Sequence, residues 1–392
     1  MNDLSTPTGP EPTPSLTRHD QVLREKAQKL LDHADVRIDG DRPWDLTVHD
    51  ERVYARAFAH GSLGLGEAYM DGWWDTPSLD QFFHHVLGAR LDEHLKNFDA
   101  LRAHLRARFI NMQRGRKAFK VGQVHYDTGN DLFAAMLGKY KMYSCACWEH
   151  ADNLDDAQAA KLDMVCRRLG LKPGQRVLDI GCGWGEALKF AAEHYGVSGV
   201  GVTVSGEQAK YANELCKGLP IEIRVQDYRE LHDTFDAVYS IGMFEHVGGK
   251  NYRSYFEVVR RCLKADGLLL LYCIGSNATP SQTDPWIEKY IFPNSMVPAA
   301  SQVTKALENL FVVEEWRNFG TDYDKTLMAW IANFDAAWPE LSAANPRYDE
   351  RFRRMWRYYL SGSAATFRAR RDQLWEITLS PNGVPGGYRV PR

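Results

Sequence analysis

From Lys172 onward, short apolar, β-branched runs alternate with longer stretches in which apolar residues recur every three or four positions. The runs at 176–181, 198–204, 221–226, 235–241 and 267–273 predict strands, and the periodic stretches near 185–195, 206–217 and 250–263 predict helices between them. Such alternation predicts an α/β fold with a mostly parallel sheet covered by helices on both faces. A strand over 311–318, a helical insert and a last strand over 374–380 complete seven strands, the late ones bringing an antiparallel pairing. Ahead of the sheet, from His19 to about Gly88, helical patterning surrounds a strand-like segment near Val36 to Val48. Residues 1–18, rich in Pro, Thr and Ser, read as a disordered tail. The expected order is therefore that tail, a smaller and mainly helical domain over 19–100, a basic helical linker over 101–122, and the α/β domain over 123–392.

The first strand runs into VLDIGCGWG, Val177 to Gly185, where three glycines fall within five residues at the entry to a helix. A residue without Cβ lets the backbone turn sharply and lets a ligand lie against it, where helix amides and dipole gather. A dinucleotide site places an acid roughly twenty residues further on, at the tip of the second strand. Here that strand ends in Thr203 with no carboxylate, and Gln208, just inside the next helix, is placed to bond ribose hydroxyls instead. The third strand ends in Gln226-Asp227-Tyr228, an acceptor for an exocyclic amine beside a ring that can stack. Together these positions favour S-adenosylmethionine, and a nucleotide-binding Rossmann-like fold to hold it.

Composition narrows the surroundings. The chain is 44% hydrophobic and 25% charged, and its formal net charge of −3 gives no global sign of a nucleic-acid partner. Seven cysteines, all from Cys145 onward and irregularly spaced, form no pairable framework, which predicts reduced thiols and a cytoplasmic protein. The first residues lack the features of a signal peptide. The longest apolar run, Gly267 to Ile274, is too short to span a bilayer, so any membrane contact is expected from the surface. Leu101 to Lys120 carries seven Lys or Arg and no acid, with Leu101, Leu105, Phe109 and Met112 at helical spacing. That pattern suits a solvated helix packed on the body, or a basic amphipathic surface drawn to anionic lipid head groups. The arginine-rich stretch 347–371 interleaves Phe352, Met355, Trp356, Tyr358, Tyr359 and Phe367. Their helical spacing predicts core packing with a basic outer face, rather than binding of single-stranded nucleic acid. Joined to 101–120, that face would make a membrane-docking patch. Cys145, Cys147 and His125 fit no standard zinc spacing, so no metal is expected.

A set of blocks in fixed order carries a family resemblance: HYDTGNDLF (His125 to Phe133), YSCACW (Tyr143 to Trp148), DIGCGWG, GVTVSGEQ, SIGMFEHVG (Ser240 to Gly248), DPWIEKYIFP (Asp284 to Pro293) and FGTDYDKTLMAW (Phe319 to Trp330). The chain resembles the cyclopropane-fatty-acyl-phospholipid synthases over nearly everything after residue 20, and more distantly the mycolic-acid cyclopropane synthases. The resemblance implies transfer of the S-adenosylmethionine methyl carbon to a cis double bond of unsaturated phospholipid acyl chains, with ring closure through a carbocation. It also implies an N-terminal domain that helps hold lipid, peripheral docking on the inner face of the cell membrane, and a homodimer. Among cofactor contacts, Tyr143 and Ser144 would face the methionine portion and Gly181 and Gly183 would form the turn beneath it. Thr203, Val204 and Gln208 would take the ribose, Asp227 and Tyr228 border the adenine, and Gly242 closes the pocket.

The same resemblance implies a bound bicarbonate ion as the base, held by Cys145, Glu245, Tyr323 and the backbone of Ile274. One position departs: where the family has a histidine two residues before the isoleucine, this chain has Tyr272. A phenol donates one hydrogen bond but carries no positive charge near neutral pH. Tyr272 is expected to reach the ion as a donor. Two alternatives follow from this departure: a methyl-branched or methylene product, and a catalytically impaired homologue that still binds lipid and cofactor. His246, beside Glu245, reads as a structural hydrogen-bonder, and Cys147, Cys182 and Cys273 as packing residues. Trp286, Tyr290 and Phe292 suit either an acyl tunnel or a packed lid.

Overall fold

A computed structural model describes residues 18–91, 129–279 and 283–390. The 1–17 tail, the 101–122 linker and His125 lie outside the described residues. Three helices come first, α1 (Arg18–Asp32), α2 (Arg52–Met70) and α3 (Leu79–Gly88), with a two-stranded antiparallel ribbon of β1 (Thr47–Val48) and β2 (Trp74–Asp75). The strand-like segment at 36–48 is a strand only at its end. Asp45, 1% exposed, accepts from the Arg37 amide at 2.7 Å and the Arg42 amide at 3.0 Å, which folds the segment back as a loop.

Helices α4 (Asn130–Leu137) and α5 (Leu154–Arg168) lead into the sheet. Its seven strands are β3 (Arg176–Ile180), β4 (Ser198–Thr203), β5 (Ile221–Val225), β6 (Phe235–Ile241), β7 (Leu263–Ser276), β8 (Val312–Asn318) and β9 (Asp372–Ser380). They lie in the order β5-β4-β3-β6-β7-β9-β8, and β9 alone runs against its neighbours. The predicted late antiparallel strand is thus β9, inserted between β7 and β8. Helices α6 (Glu186–Tyr195), α7 (Gly206–Leu215) and α8 (Tyr252–Cys262) make the parallel crossovers. Val177, Leu178, Val238, Leu269 and Leu271 are at 0% exposure, as near-continuous apolar strands covered on both faces require. Helix α8 buries Tyr252, Tyr255, Phe256, Val259 and Cys262, a stripe at helical spacing. The strand order reverses at β3, with β4 on one side and β6 on the other, so a crevice opens at the carboxyl ends of these strands.

Two long helices between β8 and β9, α11 (Thr321–Ala344) and α12 (Glu350–Arg368), join the N-terminal helices in one hydrophobic cluster that includes Trp74, Phe82, Trp330, Trp356 and Tyr358. The aromatics of 347–371 pack inward as their spacing predicts. The arginines differ from the expected basic outer face. Arg351 pairs with Asp71 at 3.0 Å, Arg354 with Asp75 at 2.7 Å, and Arg368 with Asp80 at 2.7 Å and Asp324 at 2.8 Å. Three of those four acids come from the N-terminal region, so these three arginines seam α12 to it, while Arg347 and Arg370 are exposed. Partly exposed pairs of this kind contribute only about 0–1 kcal/mol each; they fix orientation while the apolar cluster supplies stability. Short α9 (Pro285–Tyr290) and α10 (Ala300–Leu307) fill the β7–β8 connection.

Candidate active site

The crevice is lined by Tyr143, Ser144, Gly181, Gly183, Thr203, Val204, Gln208, Asp227, Tyr228 and Gly242. All ten residues expected at the cofactor thus face one pocket. Gly181 has φ +93°, and a Cβ there would stand 2.7 Å from Cβ of Met243, so neither the backbone nor the space admits a side chain. At the tip of β4, the Ser205 side chain caps α7 by accepting from the Gln208 amide at 3.3 Å. The cap sets Gln208 in the first turn, where its Oε1 accepts from the Thr203 hydroxyl at 3.0 Å. The two residues expected at the ribose are therefore already joined. Asp227 accepts at Oδ1 from the Arg229 amide at 3.0 Å and from its guanidinium at 2.9 Å.

Arg229 also lines the pocket, as do Lys141, Asp179, Glu186 and His246, none of which the motifs had marked as cofactor contacts. Asp179 stood within the glycine block itself, the one signal that could have found it. Burial pushes its carboxyl up to about 8, with Lys161 opposing, and pushes Glu186 up to about 6. Lys161 is fully buried in α5, and desolvation pulls it down to about 7. His246 is held to about 4 by burial, hence neutral, and its Nδ1 has no partner among the described residues. The structural hydrogen bond expected of it is not found at that atom.

A second group lies beside the pocket, where β6 and β7 end. Glu245 sits in a single 3-10 turn, Phe244–His246, directly after β6. Its Oε1 accepts from the Ile274 amide at 2.7 Å, and its Oε2, buried, has no partner among the described residues. Desolvation pushes this carboxyl up to about 7, against the lowering effect of the Ile274 N–H. Cys145, at 0% exposure, donates its thiol proton to the Ala146 carbonyl at 3.2 Å, and burial raises its pKa far above the usual range. Tyr272 donates to the Cys145 carbonyl at 2.9 Å. Tyr323 packs in the same cluster as Cys145, Tyr272 and Ile274, its ring stacked on Phe367 at 4.6 Å. All five expected catalytic positions are together.

Two expectations change in detail. The hydrogen of the Tyr272 hydroxyl is spent on the Cys145 backbone, so this phenol braces the YSC loop rather than offering a donor to an ion. Likewise the Ile274 N–H is committed to Glu245. Of the three aromatics after residue 284, Trp286 is 1% exposed with its ring 4.6 Å from that of Tyr358, and Tyr290 bonds Glu67 at 2.9 Å. Both therefore serve the packing of α9 on the N-terminal region. Phe292 instead lies near His246 and Tyr143, with ring centroids at 5.8 and 6.4 Å.

The mycolic acid cyclopropane synthetase family matches this chain over residues 113–377. The chain belongs to this family. The cyclopropane-fatty-acyl-phospholipid synthase of Escherichia coli is 52% identical over 368 residues, 93% of this chain and 95% of that protein. The cyclopropane synthase MmaA2 of Mycobacterium tuberculosis is 29% identical, with a TM-score of 0.62 over 67% of this chain and 97% of its own. The mycolic acid cyclopropane synthase CmaA1, solved in complex with SAH and CTAB, is 31% identical, with the same TM-score and coverage. The family read from the sequence blocks is thereby shown, and with it the methyltransferase class of the α/β domain. Among the described residues no helix is long and apolar enough to cross a membrane.

Proposed function

We propose that this protein transfers the methyl carbon of S-adenosylmethionine to a cis double bond of unsaturated phospholipid acyl chains and closes the ring to a cyclopropane. The observation that carries the reading is the juxtaposition of a glycine-floored pocket with a buried carboxylate, one of whose oxygens has no partner among the described residues. Full-length similarity to a phospholipid cyclopropane synthase supports the substrate class.

An unactivated alkene is a poor nucleophile, so the sulfonium must supply the driving force. The alkene π electrons form a bond to the methyl carbon, the carbon–sulfur bond breaks toward sulfur, and a carbocation remains on the acyl chain. Loss of a proton from the new methyl leaves its electron pair to close the ring. Tyr143 stands at the pocket with Phe133 and Trp330 at ring distances of 5.1 and 5.3 Å, a setting of aromatic faces suited to a cation. The buried surroundings of Cys145 and Tyr272 exclude the water that would otherwise capture it.

The residues present can hold a bicarbonate ion if the Cys145 thiol turns from the Ala146 carbonyl: Oε2 of Glu245, without a partner among the described residues, is a buried acceptor suited to its O–H, and Cys145 and Tyr323 lie in the adjoining cluster. When bound, the ion would accept the proton released on ring closure. Glu245 would orient and hold the proton-bearing oxygen of that ion, and Tyr272 would act one step back, by fixing the backbone of Cys145.

Incubation with S-adenosylmethionine carrying a trideuterated methyl and unsaturated phospholipid vesicles tests the reading. A cyclopropane retains two of the three deuterons and survives hydrogenation of alkenes. The engagement of Tyr272 with the Cys145 carbonyl favours a second reading, a methyl-branched or methylene product. A methyl-branched alkene, formed when the chain rather than the new methyl loses the proton, retains three deuterons; a methylene product retains two; hydrogenation consumes both. Cofactor binding without any transfer would point to an impaired homologue.

The basic 101–120 segment further supports peripheral docking on an anionic cytoplasmic leaflet, since seven cations without an acid favour such a surface. Vesicle binding that ignores added salt would exclude it. A homodimer follows from the family resemblance and is testable by sedimentation.

A further inference from the structure

Ser144 lines the pocket opposite Gly242, whose Cβ, if present, would lie 3.6 Å from that of Ser144. Behind Ser144 stands α5. Gln158 and Lys161, one turn apart on that helix, both address this loop: Gln158 Nε2 donates to the Ser144 carbonyl at 3.0 Å, and Lys161 Nζ donates to Ser144 Oγ at 2.9 Å. Lys161 is at 0% exposure, and Ser144 Oγ is its only hydrogen-bond acceptor among the described residues. A buried ammonium with so little compensation is costly unless an anion comes near.

In its charged form, which an arriving carboxylate favours against the desolvation that lowers its pKa, Lys161 has donors and no acceptor, so Ser144 Oγ must accept from it. The one hydrogen of the seryl hydroxyl is then left for another acceptor, and none is found for it among the described residues. We propose that Lys161 is a positioning residue that fixes the polarity of Ser144, so that its hydroxyl donates into the pocket to the carboxylate of the methionine portion of S-adenosylmethionine. This rests on the reading of the pocket as the S-adenosylmethionine site. The buried cation attracts that carboxylate and repels the sulfonium, which sets the direction in which the methionine arm is laid. Asp179, 2% exposed on the same pocket wall, tempers the charge.

Calorimetric titration of the full chain with S-adenosylmethionine and with decarboxylated S-adenosylmethionine separates this role from a structural one. The unaltered protein is expected to prefer the carboxylate-bearing ligand at least tenfold. Lys161→Met should weaken S-adenosylmethionine roughly tenfold, the scale of a hydrogen bond to a charged group, while changing the decarboxylated ligand less than about twofold. Ser144→Ala should erase the same preference, and the double variant should lose nothing more. Equal losses for both ligands, or a preference that survives, would overturn the proposal. If Lys161→Met fails to fold, Ser144→Ala decides alone, since it keeps the ammonium. An unaltered protein that binds neither ligand refutes the pocket reading itself; one that binds both alike refutes only the role of Lys161.

Discussion

At one end of the crevice, the tips of β3, β4 and β5 offer backbone turns and short polar side chains to an open pocket. At the other, the tips of β6 and β7 offer Glu245, Tyr272 and Ile274, which bond one another or the YSC loop; Glu245 and Tyr272 are buried and Ile274 is partly buried. The first region is built to receive a polar ligand along amides and hydroxyls that line a pocket. The second is built to hold a few groups still in a dry setting, at the cost of a carboxyl raised to about 7. The carboxyl ends of one sheet thus carry binding on β3 to β5 and reaction on the neighbouring β6 and β7. That separation makes the two functions independently breakable.

The sharpest break is Glu245→Gln. It should lower turnover by at least about a hundredfold, the scale of lost proton handling, while S-adenosylmethionine affinity stays within about twofold. A parallel collapse in affinity would show the regions to be one unit. Acidification acts on the same group: as pH falls through about 7, Glu245 gains a proton, and turnover should fall by up to tenfold per unit. Stability moves oppositely. The folded carboxyl titrates near 7 and the unfolded one near its ordinary 4.5, so the folded state binds more protons between those values and loses stability as pH rises across them. The gain in Tm of Glu245→Gln over the unaltered protein should therefore grow from pH 5 to pH 8; a constant difference would contradict the burial of this group.

In the binding region, Gly181→Ala forces a Cβ toward Met243 at φ +93°. It should destabilise the fold by about 1–3 kcal/mol and weaken cofactor binding, measured by melting and titration, and leave any residual turnover with an unchanged pH profile. The mildest expected effect is that of Tyr272→Phe. Removing the phenol leaves the buried Cys145 carbonyl unpartnered, worth about 1–3 kcal/mol, and should slow turnover several-fold with little change in KM for S-adenosylmethionine. A loss as large as that of Glu245→Gln would return Tyr272 to direct contact with the reacting groups.

The binding region was legible in the sequence because its chemistry sits where strands end, and strand ends follow from apolar periodicity. Thr203, Gln208 and Asp227 could be placed by counting from that pattern. The reaction region could not, since Cys145, Glu245, Tyr272 and Tyr323 come from distant segments whose meeting depends on strand order. Only the family resemblance pointed to them, and it gave no sign that the Tyr272 hydroxyl donates to a backbone carbonyl. Lys161 left no trace, because nothing in a helix rich in acids and bases tells that one ammonium turns inward. The same limit explains α12: alternation of arginine and aromatic residues marks an amphipathic helix, but not that Asp71, Asp75 and Asp80 would fold over its charged side.

The placement of β9 bears on how the chain is born. Ile274, which holds Glu245, lies in register with Leu374 of the final strand. A polypeptide still emerging from the ribosome can form β3 to β7 long before that partner exists, leaving one long edge of β7 unpaired. The reaction chamber therefore closes last, after residue 380 has been synthesised, and until then the exposed edge calls for shelter from wrong pairing.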